Sequence, residues 1–251
     1  MKINVPTSWQ ELNAWQLQEI VHLFLQTDKF EQNFPEMIFI LFRKNNSWRE
    51  RFRLWKLVRQ IPFSQLQEYG RFLLEPPKLH TFPEIPGVLK PADRLANLSI
   101  VQYSFMDQFY HAWAKEPSHV NALRLAASVY RIRTEFDDQD IPEVARILSG
   151  LDVKQLQVIA FSYMSCYRHI ADTYPVVFPK PKTQPGEVKK PAKPPRYVPF
   201  YEVIVSMSME ELKPLGNLHQ CNRTRIYEFM NVFSKIIIHY QNKQKEYEKR
   251  K

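Results

Sequence analysis

Again and again along this chain a Ser, Asn or Asp is followed three residues later by Glu or Gln, and six of these pairs are read as helix starts: Asn13/Gln16, Ser47/Glu50, Ser64/Gln67, Ser99/Gln102, Asp140/Glu143 and Asp152/Gln155. At a helix start the first residue's side-chain oxygen accepts an orphan backbone amide, and the later side chain reaches back. A chain that restarts helices so often has little length left for strands. It is expected to fold as an all-α multi-helix bundle.

The apolar spacing behind these caps agrees. After Asn13, the residues Leu17, Ile20, Val21, Phe24 and Leu25 mark one helical face. Asn33 and a first-turn Pro35 predict a second helix running through the wholly apolar stretch Met37–Phe42. Ser47 introduces a third, whose buried stripe is expected to be Trp48, Phe52, Trp55 and Val58. Ser64 opens a fourth, stopped by Pro76-Pro77. Residues 76–98 hold five prolines and one glycine, an irregular excursion whose Leu79, Phe82, Ile85, Val88 and Leu89 should pack inward. Helices then follow from Ser99 (Tyr103, Met106, Phe109, Tyr110, Trp113), from about Ser118 (Leu123, Ala126, Ala127, Tyr130), from Asp140 with Pro142 in its first turn, and from Asp152 (Leu156, Ile159, Ala160, Tyr163, Tyr167, Ile170). That makes eight before Pro175. Residues 179–199 contain seven prolines and read as an extended basic spacer. Beyond it, Phe200–Leu212 reads as a short helix, and Asn222 as the cap of a long one with Ile226, Phe229, Phe233, Ile236, Ile237 and Tyr240 inward. The expected organisation is a helical body (1–178), a Pro/Lys-rich linker (179–199) and a C-terminal helical segment with a basic tail (200–251).

Five well-separated glycines leave no room for G-x-G-x-x-G or a P-loop, which disfavours the common nucleotide-binding classes. Net charge is +9, but 179–199 contributes +5 and 241–251 contributes +3, leaving +1 for everything else. Two cysteines make no disulfide framework. The N-terminus lacks an apolar signal-peptide core, and no apolar run approaches the ~20 residues that span a bilayer. A cytoplasmic protein without a membrane partner is expected.

Candidate chemistry is sparse. Cys166, His169, His219 and Cys221 together have the ligand types of a tetrahedral zinc site, but not the two-pair spacing that marks one. Glu135, Asp137, Asp138, Asp140 and Glu143 lack an EF-hand's central glycine and read as capping residues. No nucleophile elbow is present, and the seven histidines are scattered. No cofactor and no enzymatic activity are therefore expected. Two interaction signals remain. Lys189, Lys190, Lys193 and Arg196 in the linker could contact phosphates without sequence preference. Trp15 falls off the Leu17–Ile20–Phe24 stripe, as an interface residue would.

The stretches INVPTSWQELNAWQLQEIVHLFL, NLSIVQYSFMDQFYHAW, ALRLAASVYR, FDDQDIPEVARILSGL and ADTYPVVF resemble a family of uncharacterised helical proteins of Bacteroidetes phages and prophage-like elements. Members are similar in size and helical character to tail assembly chaperones. The resemblance implies a non-enzymatic assembly factor that shields a phage structural protein, its client. Its motifs are packing and capping residues, so it carries over no site residue. The alternative is a nucleic-acid-associated protein acting through the basic linker and tail.

Overall fold

The computed structural model describes residues 4–179, 197–211 and 213–250. Among them the chain is all-α, with no strand. The eight expected helices are α1 (Ala14–Phe24), α2 (Phe30–Leu41), α3 (Trp48–Gln60), α4 (Phe63–Leu66), α5 (Ile100–Lys115), α6 (His119–Val129), α7 (Ile141–Leu148) and α8 (Val153–Thr173). They are followed by α9 (Phe200–Met209), α10 (Leu218–Arg223) and α11 (Ile226–Arg250).

The caps form largely where the spacing predicts them. Asn13/Gln16 is a complete capping box, and Asp152/Gln155 exchanges both bonds at 2.9 Å. Ser47, Ser99 and Ser118 each accept the amide three residues on. Three starts differ. α2 begins at Phe30, a turn earlier than expected, so Pro35 lies inside the helix rather than at its first turn. α4 is introduced by Pro62 without a side-chain cap, and after Leu66 the chain tightens into a 3₁₀ stretch over Gln67–Leu73. Asn222 sits within α10, whose capping box is Asn217/Gln220.

The chain divides into two compact units: Met1–Pro83 with Leu148–Cys166, and Glu84–Ile147 with Tyr167–Lys251. In the first, Trp9 packs edge-on to Phe24 and Phe72 at 5.6 Å and lies 4.7 Å from Phe161. Ile20, Met37, Ile38 and Leu41 complete this core. Lys154 Nζ pairs with Glu19 at 2.6 Å, and His22 Nδ1 meets Gln157 Oε1 at 2.9 Å, fastening α8 to α1. Gly70 is buried, and a Cβ there would run into the Ile38 side chain.

The second unit is built on α5. From the C-terminal helical segment, Phe200, Ile204, Met207, Cys221, Ile226, Phe229 and Met230 are buried in this unit. Phe200 contacts both Tyr103 (5.1 Å) and Phe229 (5.9 Å). Ile100 N donates to Thr224 O, and Ile226 N donates to Leu98 O, an antiparallel bridge that holds the start of α11 beside the start of α5. The inward face of α11 fades toward its end, where Tyr240 is half exposed and donates to Glu210. Upstream of α9, Tyr197 Oη donates to Asp107 Oδ2 at 2.7 Å while its ring lies flat on His111, 3.9 Å away.

One device recurs in both units. Gln16 is the third residue of α1, and its Nε2 donates to Ile40 O, Leu41 O and Arg43 O, closing the C-terminal end of α2. Gln102 is the third residue of α5, and its Nε2 donates to Ser128 O and Val129 O, closing α6. Each helix end continues into an aromatic residue and a buried arginine, Phe42-Arg43 in one and Tyr130-Arg131 in the other. Helix C-termini leave carbonyls without intrahelical partners, and a buried carbonyl left unpaired is costly. Gln16→Ala and Gln102→Ala should therefore each lower the unfolding free energy by about 2 kcal/mol, and Gln18→Ala by less than ~0.5 kcal/mol, read from urea midpoints.

Burial raises the Asp107 carboxyl above its ordinary range, against a smaller opposing effect of the Tyr197 hydrogen bond. The folded state thus holds this proton more tightly than the unfolded state. The site's stabilising contribution is full at acid pH and is lost as pH rises through the folded-state value. Asp107→Asn keeps an acceptor for Tyr197 and removes the charge. Its melting temperature should match wild type near pH ~3.5 and exceed it at neutral pH.

Candidate interaction surface

α3 carries two apolar stripes on opposite faces. Leu54 and Leu57, with Ile61 just beyond the helix, are partly buried against the first unit's core. Arg53 anchors the same side by donating to Phe42 O at 2.9 Å, and Glu50 accepts Lys44 N at 3.0 Å. The other stripe is Trp48, Phe52, Trp55 and Val58, expected inward from its spacing. It faces solvent instead: Trp48 is 72% exposed, Phe52 49%, Trp55 48% and Val58 39%.

The outward turn of the aromatic stripe has a physical cause. Periodicity identifies both stripes equally well but cannot say which one turns inward. The aromatic stripe is interleaved with Arg49, Arg51, Lys56 and Arg59, and burying it would desolvate those cations without partners. On the aliphatic side the cation is Arg53, and Phe42 O and the Glu50 carboxylate meet it. On the outer face the Phe52 and Trp55 rings stack at 5.6 Å and 20°. The Arg59 guanidinium lies 3.8 Å from the Trp55 centroid, Lys56 Nζ 4.7 Å from Phe52, and Arg49 5.8 Å from Trp48. Each ring therefore has one of the helix's own cations near it, an arrangement worth roughly 0.5–1 kcal/mol per pair at exposed sites. With five basic residues and one acid, α3 carries +4 while the rest of residues 1–178 carries −3, so it is a structured basic element. The run WRERFRLWKLVRQ carries that signal in the sequence.

The residues singled out from sequence lie elsewhere. Trp15 is half-buried against the core, with the Arg43 guanidinium 5.1 Å from its ring. Lys189, Lys190, Lys193 and Arg196 lie outside the described residues. The buried Cys166 thiol faces His80 O at 3.7 Å, and the buried Cys221 thiol faces Leu215 O at 3.6 Å. Burial lowers the pKa of His169, with the Arg94 charge adding to that effect. Among the described residues no three His, Cys, Asp or Glu side chains converge as metal ligands. The acidic stretch is engaged by arginines: Arg133 with Asp137 and Asp140, Arg146 with Glu143, and Arg223 with Glu135. Asp137 also caps Gln139 N. No described helix is long and apolar enough to cross a membrane. No protein-family model, curated protein or solved structure matches the chain.

Proposed function

We propose that this chain is a non-enzymatic interaction protein that docks a protein client through the outer face of α3. The observation that carries the reading is Trp48, Phe52 and Trp55 exposed in one stripe among cations. Solvent-exposed Trp and Arg at helical spacing are the side chains that dominate protein-binding hot spots, and an apolar helical stripe is read by a partner helix or groove.

Charge complementarity gives the client an acid-flanked apolar segment. A guanidinium lying over a ring keeps its in-plane N–H donors available for bidentate bonds to carboxylates. A second copy would bring the same positive face against this one, which disfavours self-pairing. In the assembly-factor form of the reading, the client is a self-associating structural protein of phage type, shielded at its apolar surface until it assembles.

A nucleic-acid reading gains from α3, which adds a structured basic face to the basic run at 180–196 and the tail. Base stacking, however, needs open ring faces. Here Phe52 and Trp55 stack on each other, and Arg59 and Lys56 lie over them.

The test is affinity capture from host lysate with and without nuclease, comparing wild type with Trp48→Ala/Trp55→Ala and with Lys56→Glu/Arg59→Glu. Both double variants change exposed positions and should keep unfolding free energies within about 1 kcal/mol of wild type. A stoichiometric protein that survives nuclease and binds at least about tenfold more weakly to either variant supports the reading. Capture of nucleic acid alone, or a client indifferent to both variants, overturns it.

A further inference from the structure

The recurring glutamine clasp places two arginines in comparable settings and gives them different covers. In the first unit Trp15 is the second residue of α1, just ahead of Gln16, and its ring lies 5.1 Å from the Arg43 guanidinium. Arg43 is only 6% exposed and also donates to Asn46 Oδ1 and Glu36 Oε1. In the second unit the second residue of α5, just ahead of Gln102, is Val101. Valine is too short to cover an arginine. Tyr130 turns the chain into extended backbone (ψ 164°), where Phe42 stays near helical (ψ 3°), and Arg131 then bridges to Leu89 through both backbone groups. A cleft of ≈ 570 Å³ opens there, with Val101 and Arg131 in its wall together with Thr134, Glu135, Asp138 and Asn222.

We propose that this cleft binds an uncharged planar nitrogen heterocycle, its ring lying against Arg131 as the Trp15 indole lies against Arg43. The volume falls in the range of small-molecule sites, roughly 300–1,000 Å³. Arg131 is 9% exposed and spends one N–H on Thr134 O at 2.8 Å. Burial holds its pKa below the ordinary arginine range, and a π-face over a desolvated guanidinium offsets part of that penalty. The rim explains the choice of an uncharged ring. Arg223 and Arg225 stand there with Glu135, Asp137 and Asp138, so neither a cation nor an anion meets a field of one sign. Those carboxylates and the Asn222 Oδ1 acceptor suit a ring that presents N–H donors at its edge. Indole and the purine bases share this chemistry.

The test uses the full chain, with indole, adenosine and guanosine as probes, toluene as a ring without N–H, and AMP as a charged analogue. Binding is read by ligand-observed NMR and by thermal shift. Val101→Trp rebuilds in the second unit the cover that Trp15 provides in the first, and Val101→Phe does so with a smaller ring. At least one heterocycle should bind wild type with a positive thermal shift, more tightly than toluene or AMP. One or both Val101 variants should melt at or above wild type and bind about tenfold more weakly. Arg131→Lys keeps the charge but removes the planar group, and should also weaken binding. Indole binding alone would assign the site to an indole-bearing compound, and purine binding to a nucleoside. Absence of binding by every heterocycle, toluene or AMP binding equally well, undiminished binding to the Val101 variants, or melting of both below wild type would overturn the proposal.

Discussion

Both units hang on a buried glutamine amide. Two antiparallel helices joined by a short connection bring one helix start beside another helix end, and that end has surplus carbonyls. A single carboxamide near the first helix's start can donate to two or three of them. Gln16 does this while its Oε1 also accepts Asn13 N, so one side chain closes α1's start and α2's end. Gln102 repeats the donation to α6. The large apolar surfaces around Ile20 and Met37, or Met106 and Leu125, supply the drive to pack. The glutamines favour the register in which these helix-end carbonyls find donors.

Once that register is set, α3 has its position decided for it. Phe42, at the clasped end of α2, provides the carbonyl that Arg53 takes up, and the intervening loop offers Asn46 to both Arg43 and Arg51. These polar ties leave α3 with its leucines against the core and its aromatic, cation-laden side in water. The candidate interaction surface is thus a consequence of how the helix pair is closed. In the second unit valine stands where the first has tryptophan, and a cleft there has Val101 and Arg131 in its wall.

Much of the architecture was legible from local chemistry. Helix starts at Asn13, Ser47, Ser99, Ser118 and Asp152 follow from side-chain acceptors placed to meet amides one turn away, an interaction complete within four residues. The all-α class follows from those starts together with apolar spacing. Where the helix starts depart from the spacing, the competing influence is also local but subtler. Pro35 is tolerated inside α2, and Asn217 captures the cap that Asn222 also offers by type.

The surface and the unit boundaries were a different matter. The sequence by itself determined that α3 would be a helix with aromatic residues on one side. It did not determine which side would be buried, because periodicity records a face without saying what lies opposite. It marked Trp15 as off-stripe, but an aromatic that covers an arginine from another helix looks the same in one dimension as one that meets a partner. It set a linker at 179–199, yet the packing of Phe200 and Phe229 on α5 depends on contacts about a hundred residues apart, which no local pattern encodes. Caps and periods act over one or two turns of chain and can be read there. Burial is a competition among all faces for a limited interior, and only the folded chain resolves it.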